Sequence, residues 1–107
     1  MPAMILGQSS PSATTNTDIY TVPAGKTAIC STLAVCNRSG TVSVSYRIAV
    51  RPAGAAIANP HYIAYGVSLP VNSSDYLTIG LALGPTDVVT VWAETSDLSF
   101  SLFGNES

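Results

Sequence analysis

Charge is what this chain has least of. Four basic and six acidic residues are spread over 107 positions, a share of 9%, where an ordinary soluble domain carries about 25%. The cations are Lys26, Arg38, Arg47 and Arg51, and the formal net charge is −2. Cations this few and this scattered cannot neutralise a run of phosphates, so nucleic acid is not an expected partner. No apolar run approaches the roughly 20 residues of a membrane span. Met1 to Leu6 is shorter than a signal peptide and has no cation before it. The expected setting is a cytoplasm, with no membrane partner.

Groups that do chemistry are equally scarce. His61 is the only histidine, and the chain has no Gly-x-Ser-x-Gly elbow for a nucleophilic serine. Cys30 and Cys36 match no zinc-binding spacing. On one continuous strand they would stand about 20 Å apart, whereas a disulfide joins Cα atoms no more than about 7 Å apart. They therefore read as buried free thiols acting as small hydrophobes, with a bridge between copies as the alternative. Pro23-Ala24-Gly25-Lys26-Thr27 contains Gly-Lys-Thr but lacks the earlier glycine of a phosphate loop. Asn37-Arg38-Ser39, Asn72-Ser73-Ser74 and Asn105-Glu106-Ser107 fit the glycosylation pattern by chance in a chain rich in Asn and Ser. The carboxylates Asp18, Asp75, Asp87, Glu94, Asp97 and Glu106 lie near strand ends, where they bond turn backbone; a calcium site built from them is the competing reading. The expectation is a protein that is not an enzyme and carries no cofactor and no metal.

What is present is apolar: 47% of the residues, enough for a single core in one domain of this length. Thr41 to Arg51 is the clearest strand. Val42, Val44, Tyr46, Ile48 and Val50 alternate with Thr41, Ser43, Ser45, Arg47, Ala49 and Arg51, the two-residue period of a sheet with one buried face. A slip of one residue would put the apolar set in water, so register is well specified. Further strands are expected at Asp18 to Val22, Lys26 to Asn37, His61 to Val67, Asp75 to Leu83, Asp87 to Glu94, and from Leu98 to a stop at Gly104. In the Lys26 to Asn37 strand, Ile29, Leu33 and Val35 read as the core face. Ala28, Cys30, Thr32, Ala34 and Cys36 read as a weakly polar second face. Pro23-Ala24-Gly25, Asn37-Arg38-Ser39-Gly40 and Gly84-Pro85-Thr86 are turns, because proline fixes φ and glycine tolerates positive φ. Residues 7 to 17 read as a loop or an arm, so 1–17 is expected to be an N-terminal segment or arm and 18–107 a single β-sandwich domain. Seven or eight short strands with regular turn signals predict an all-β, antiparallel β-sandwich of jelly-roll type.

Such a sandwich must protect its edges, and one lysine in the whole chain gives little means of doing so. Covering by neighbours is the remaining device. If Val89, Val91, Phe100 and Leu102 face the core, then Trp92 and Phe103 face outward, as aromatic anchors do. The candidate interface comprises Tyr62, Tyr65, Trp92, Phe103, Cys30 and Cys36.

Three stretches carry a resemblance: Tyr20-Thr21-Val22-Pro23-Ala24-Gly25-Lys26-Thr27-Ala28, Val35-Cys36-Asn37, and Tyr46 through Arg51-Pro52-Ala53-Gly54-Ala55. With His61-Tyr62, Asp87 to Val91 and Phe100 to Gly104, they resemble small structural proteins of tailed bacteriophages over about residues 18 to 104. The resemblance brings no functional residues with it. It implies a virion protein assembled in the host cytoplasm: a capsid decoration, cement or neck/tail-associated subunit. Such a subunit binds other virion proteins and forms a homo-oligomer, a trimer being favoured. The alternative is a receptor- or glycan-binding module of a tail fibre or baseplate, with Tyr62, Tyr65 and Trp92 stacking on sugar rings.

Overall fold

The computed structural model describes residues 3–107. Among them are the strands β1 (Met4–Ser9), β2 (Thr17–Thr21), β3 (Ala28–Asn37), β4 (Val44–Arg51), β5 (Tyr62–Leu69), β6 (Ser74–Leu83), β7 (Val88–Ala93) and β8 (Leu98–Glu106). They form two four-stranded antiparallel sheets, ordered β1-β8-β3-β6 and β2-β7-β4-β5. The pairs β1·β8, β2·β7, β3·β6 and β4·β5 are those of one long hairpin. The lateral pairs β3·β8 and β4·β7 roll that hairpin into two layers. This is the eight-stranded jelly roll, and it bears out the fold class expected from the turn spacing.

The alternation along β4 places Val44, Tyr46 and Ile48 in the core. Val89 and Val91 of β7 join them from the same sheet, and Leu33, Val35, Leu98, Phe100 and Leu102 close the core from the other. Tyr46 and Phe100 meet edge-to-face across the layers with ring centroids 6.2 Å apart. Each such fully buried side chain contributes roughly 1.5–3 kcal/mol.

Four expectations are corrected. Of the expected N-terminal arm, Met4–Ser9 is β1 and pairs with β8, and Thr17 opens β2; the period of β1 is hidden because the strand is short and bulged between Ile5 and Gly7. Val42 was expected in the core but precedes β4 and is exposed. Gly104 does not stop the last strand, which runs on to Glu106; a Cβ at Gly104 would overlap the carbonyl oxygen of Ile29, so the glycine permits close approach of β3. In β3 a bulge between Cys30 and Thr32 shifts the register against both neighbours. Against β8 the extra residue is Ser31, whereas against β6 the extra residue lies on β6 between Thr78 and Leu81, and β3 changes parity across Ser31. Ala28 and Cys30 therefore point inward together with Leu33 and Val35, and Ile29 is turned out. Cys30 and Cys36 do not share a face: Cys30 is buried and Cys36 is exposed.

Asn37 pins two connections at one end of the sandwich. It is buried, and its Nδ2 donates to the carbonyls of Val42, Leu69 and Pro70 while its Oδ1 accepts from the N–H of Ser39. Elsewhere, Arg51 holds the connection between β4 and β5. Its Nη1 donates to the carbonyls of Gly54 and Ala55, its Nε to Thr90, and its Nη2 pairs with Asp18 at 2.8 Å.

The two long sides of the sandwich differ. On one, β1 and β2 come so close that a Cβ at Gly7 would overlap the carbonyl oxygen of Ile19. On the other, β5 and β6 leave a cavity of about 440 Å³ lined by Tyr46, Ile63, Ala64, Val67, Asp75, Tyr76, Leu77 and Ile79.

Candidate functional site

The outer face of the β1-β8-β3-β6 sheet can be read in rows across the strands. One row is Ser74, Cys36, Ser99. The next is Tyr76, Ala34, Ser101, Gln8. Then come Thr78, Thr32, Phe103, Ile5, and last Ala82, Ile29, Asn105. None of these residues carries a formal charge. Asp75 of the same sheet points inward, where the Tyr46 hydroxyl donates to it, and Glu106 accepts from the Tyr20 hydroxyl. Burial, and then the neighbouring carboxylate, push both tyrosine hydroxyls well above their ordinary pKa. The chain's low charge is thus unevenly placed: one complete sheet face has none. Ile5 and Ile29 are each more than half exposed there, and Tyr76 is 72% exposed.

The outer face of the other sheet is built differently. Arg47 on β4 lies between Trp92 on β7 and Tyr65 on β5, its cross-strand partners in the ladder. The guanidinium carbon sits 3.9 Å from the Trp92 ring centroid and 4.4 Å from that of Tyr65. Tyr62 meets Tyr65 edge-on at 4.9 Å. Bulges in β5 between the partners of Tyr46 and Arg47, and again between those of Ile48 and Ala49, bring Tyr62 and Tyr65 to the same side. The Arg47 Nε is buried without a hydrogen-bond partner among the described residues.

The structure therefore divides the expected interface residues into three groups. Tyr62, Tyr65 and Trp92 gather around Arg47 on one sheet. Phe103 and Cys36 lie on the outer face of the opposite sheet. Cys30 lies in the core, where burial pushes its thiol up to about 11. Sequence reasoning missed Arg47, which alternation marked only as a polar position of β4; its placement between two aromatics depends on which strands become its neighbours. His61 accepts the Ala58 N–H through Nδ1 and so shapes the turn leading into β5.

Among the described residues, no group of three or more His, Cys, Asp or Glu side chains is placed to hold a metal ion, and no helix is long and apolar enough to cross a membrane. Comparison with protein-family models, with curated proteins and with solved structures returns no match.

Proposed function

We propose that this protein is a non-enzymatic structural subunit of a bacteriophage virion, a decoration, cement or neck/tail-associated protein that docks through the outer face of its β1-β8-β3-β6 sheet. The observation that carries the reading is the absence of formal charge from every row of that face. A charged face keeps protein copies apart in water; a neutral one with exposed Ile5, Ile29 and Tyr76 does not. Four strands of up to ten residues present about 600 Å² of projected surface, close to the roughly 800 Å² per partner of a standard interface. The occupant is an equally uncharged surface of a neighbouring subunit, another copy of this chain first of all. The phage assignment itself rests on the sequence resemblance.

A test is to place charge on the face. Purified protein at micromolar concentration is expected to sediment as an oligomer, three copies being favoured. Ala34→Glu is expected to yield a folded monomer, and Ser68→Glu on the opposite sheet to leave the oligomer intact. A wild-type protein that stays monomeric and is missing from purified particles of a phage encoding it removes the reading.

A second reading has its own observation. Tyr62 and Tyr65 of the edge strand β5 gather with Trp92 around Arg47 on one sheet face, which supports a receptor- or glycan-binding module. Rings so placed offer stacking surface to a sugar. Titration with neutral and charged sugars tests it.

A further inference from the structure

The chain's three arginines are not used alike. Arg51 uses all three of its nitrogens and four of its five N–H donors, on Thr90, Gly54, Ala55 and Asp18. Arg38 donates to the Ser10 hydroxyl and the Ser96 carbonyl. Arg47 has rings on two sides and no acceptor: the Arg51–Asp18 pair is the only ion pair among the described residues, and the Arg47 Nε is buried unpaired. Nε alone is enclosed, at the cost of one unmade hydrogen bond, while Arg47 as a whole is only half-buried. Rings engage a guanidinium through its faces, so the donors left for a ligand are the two in-plane Nη groups, whose paired N–H bonds form a fork that matches a carboxylate.

Nearby acids do not fill that role. Glu94, one row along, accepts from the N–H and hydroxyl of Ser45. Asp18 is taken by Arg51 and Thr90. Tyr65 is 62% exposed, so ring surface remains beside the fork.

We infer that Arg47, Tyr65 and Trp92 form a binding site for a carboxylate-bearing sugar, the carboxylate taken by the Arg47 fork and the sugar ring by the exposed aromatic surface. This rests on the second of the two readings above and specifies its ligand. It does not depend on the docking face, which is on the other sheet.

Trp92 is the only tryptophan in the chain, so intrinsic fluorescence reports on the site directly. The full chain is titrated with sodium glucuronate, glucose and sodium acetate at constant ionic strength. The expected result is a saturable change with glucuronate at least tenfold tighter than with glucose or acetate. Arg47→Lys keeps the charge but loses the fork, and is expected to weaken glucuronate tenfold or more. If that variant does not fold by circular dichroism, Tyr65→Ala serves instead and is expected to lose the preference over acetate. Equal binding of glucose and glucuronate overturns the acidic-sugar assignment and leaves the glycan reading standing. Equal binding of acetate and glucuronate overturns the sugar component. No response to any of the three overturns both.

Discussion

Tyr46 of β4 donates its hydroxyl hydrogen to Asp75 Oδ2 of β6 at 2.8 Å, joining the two sheets on the side where their edges stand apart. Tyr46 is 1% exposed, so its hydroxyl depends on that acceptor. The same bond sits at the wall of the cleft between β5 and β6. Tyr46→Phe is expected to lower stability by about 1–2 kcal/mol. The midpoint of urea unfolding at neutral pH, with an unchanged slope, measures it.

The same contact sets an alkaline limit. The Tyr46 and Tyr20 hydroxyls are raised above their ordinary value of 10.0, by burial first and by their carboxylate partners second. Raised acids of this kind are neutral in the fold while the unfolded chain can ionise. Their contribution is complete below about pH 10 and declines as pH rises beyond it. Stability is therefore expected to fall above pH 10, and Tyr20→Phe with Tyr46→Phe to flatten that fall. Thermal unfolding between pH 8 and 11 reads it; identical slopes in wild type and the double variant contradict it.

Gly104 offers a steric test. A Cβ at that position would overlap backbone of Ile29 and Cys30, which has no rotamer to escape through. Gly104→Ala is expected to cost about 3 kcal/mol and to reduce the yield of folded protein. Gly25→Ala is the comparison: the glycine has φ of 77° but nothing within 4 Å of the added carbon, so its cost is that of backbone strain alone, about 1 kcal/mol.

The two cysteines should separate by reactivity. Cys36 is exposed on the outer sheet face and Cys30 is buried with its thiol pushed up to about 11. A thiol reagent at neutral pH is expected to modify Cys36 alone in the native protein and both in denaturant. Equal modification of both in the native state, followed by mass spectrometry, contradicts the placement of the β3 bulge as well.

Arg51 anchors the connection between β4 and β5. Arg51→Ala removes donors to two carbonyls of that loop and the partner of Asp18. Faster hydrogen exchange over residues 52–61 is expected, with Asp18→Asn having a smaller effect because Asp18 is half exposed and such pairs are worth about 1 kcal/mol or less.

Where alternation was strong, the sequence was enough. Val44, Tyr46 and Ile48 fall in the core because large side chains alternate with polar ones and only one register buries them. Leu83 of β6, with Phe100 and Leu102 of β8, follows the same rule, and Leu77, Ile79 and Leu81 pack half-buried against the core from the same parity. β3 is illegible for the opposite reason: Ala28, Cys30, Thr32 and Ala34, all of one parity, are small enough to sit on either face, so a bulge at Ser31 leaves no trace in the pattern. The outward direction of Trp92 and Phe103 could be read. That Trp92 would meet Arg47 and Phe103 would meet Ile5 could not, because pairing of strands far apart in the chain is a property of the roll and not of either strand.

The rolled hairpin also dictates an order of events. β4 and β5 are the only strands consecutive in the chain that also pair among the described residues. Every other pairing closes a loop around that first one, and the closing entropy grows outward to β1 and β8. Folding of this kind belongs to the slow, milliseconds-to-seconds class of β topologies. On the ribosome β1 must wait, unpartnered, until the last strand has emerged. The residues of β1 are protected only by a strand made long after them, in a chain with very few charges to guard them against misassembly.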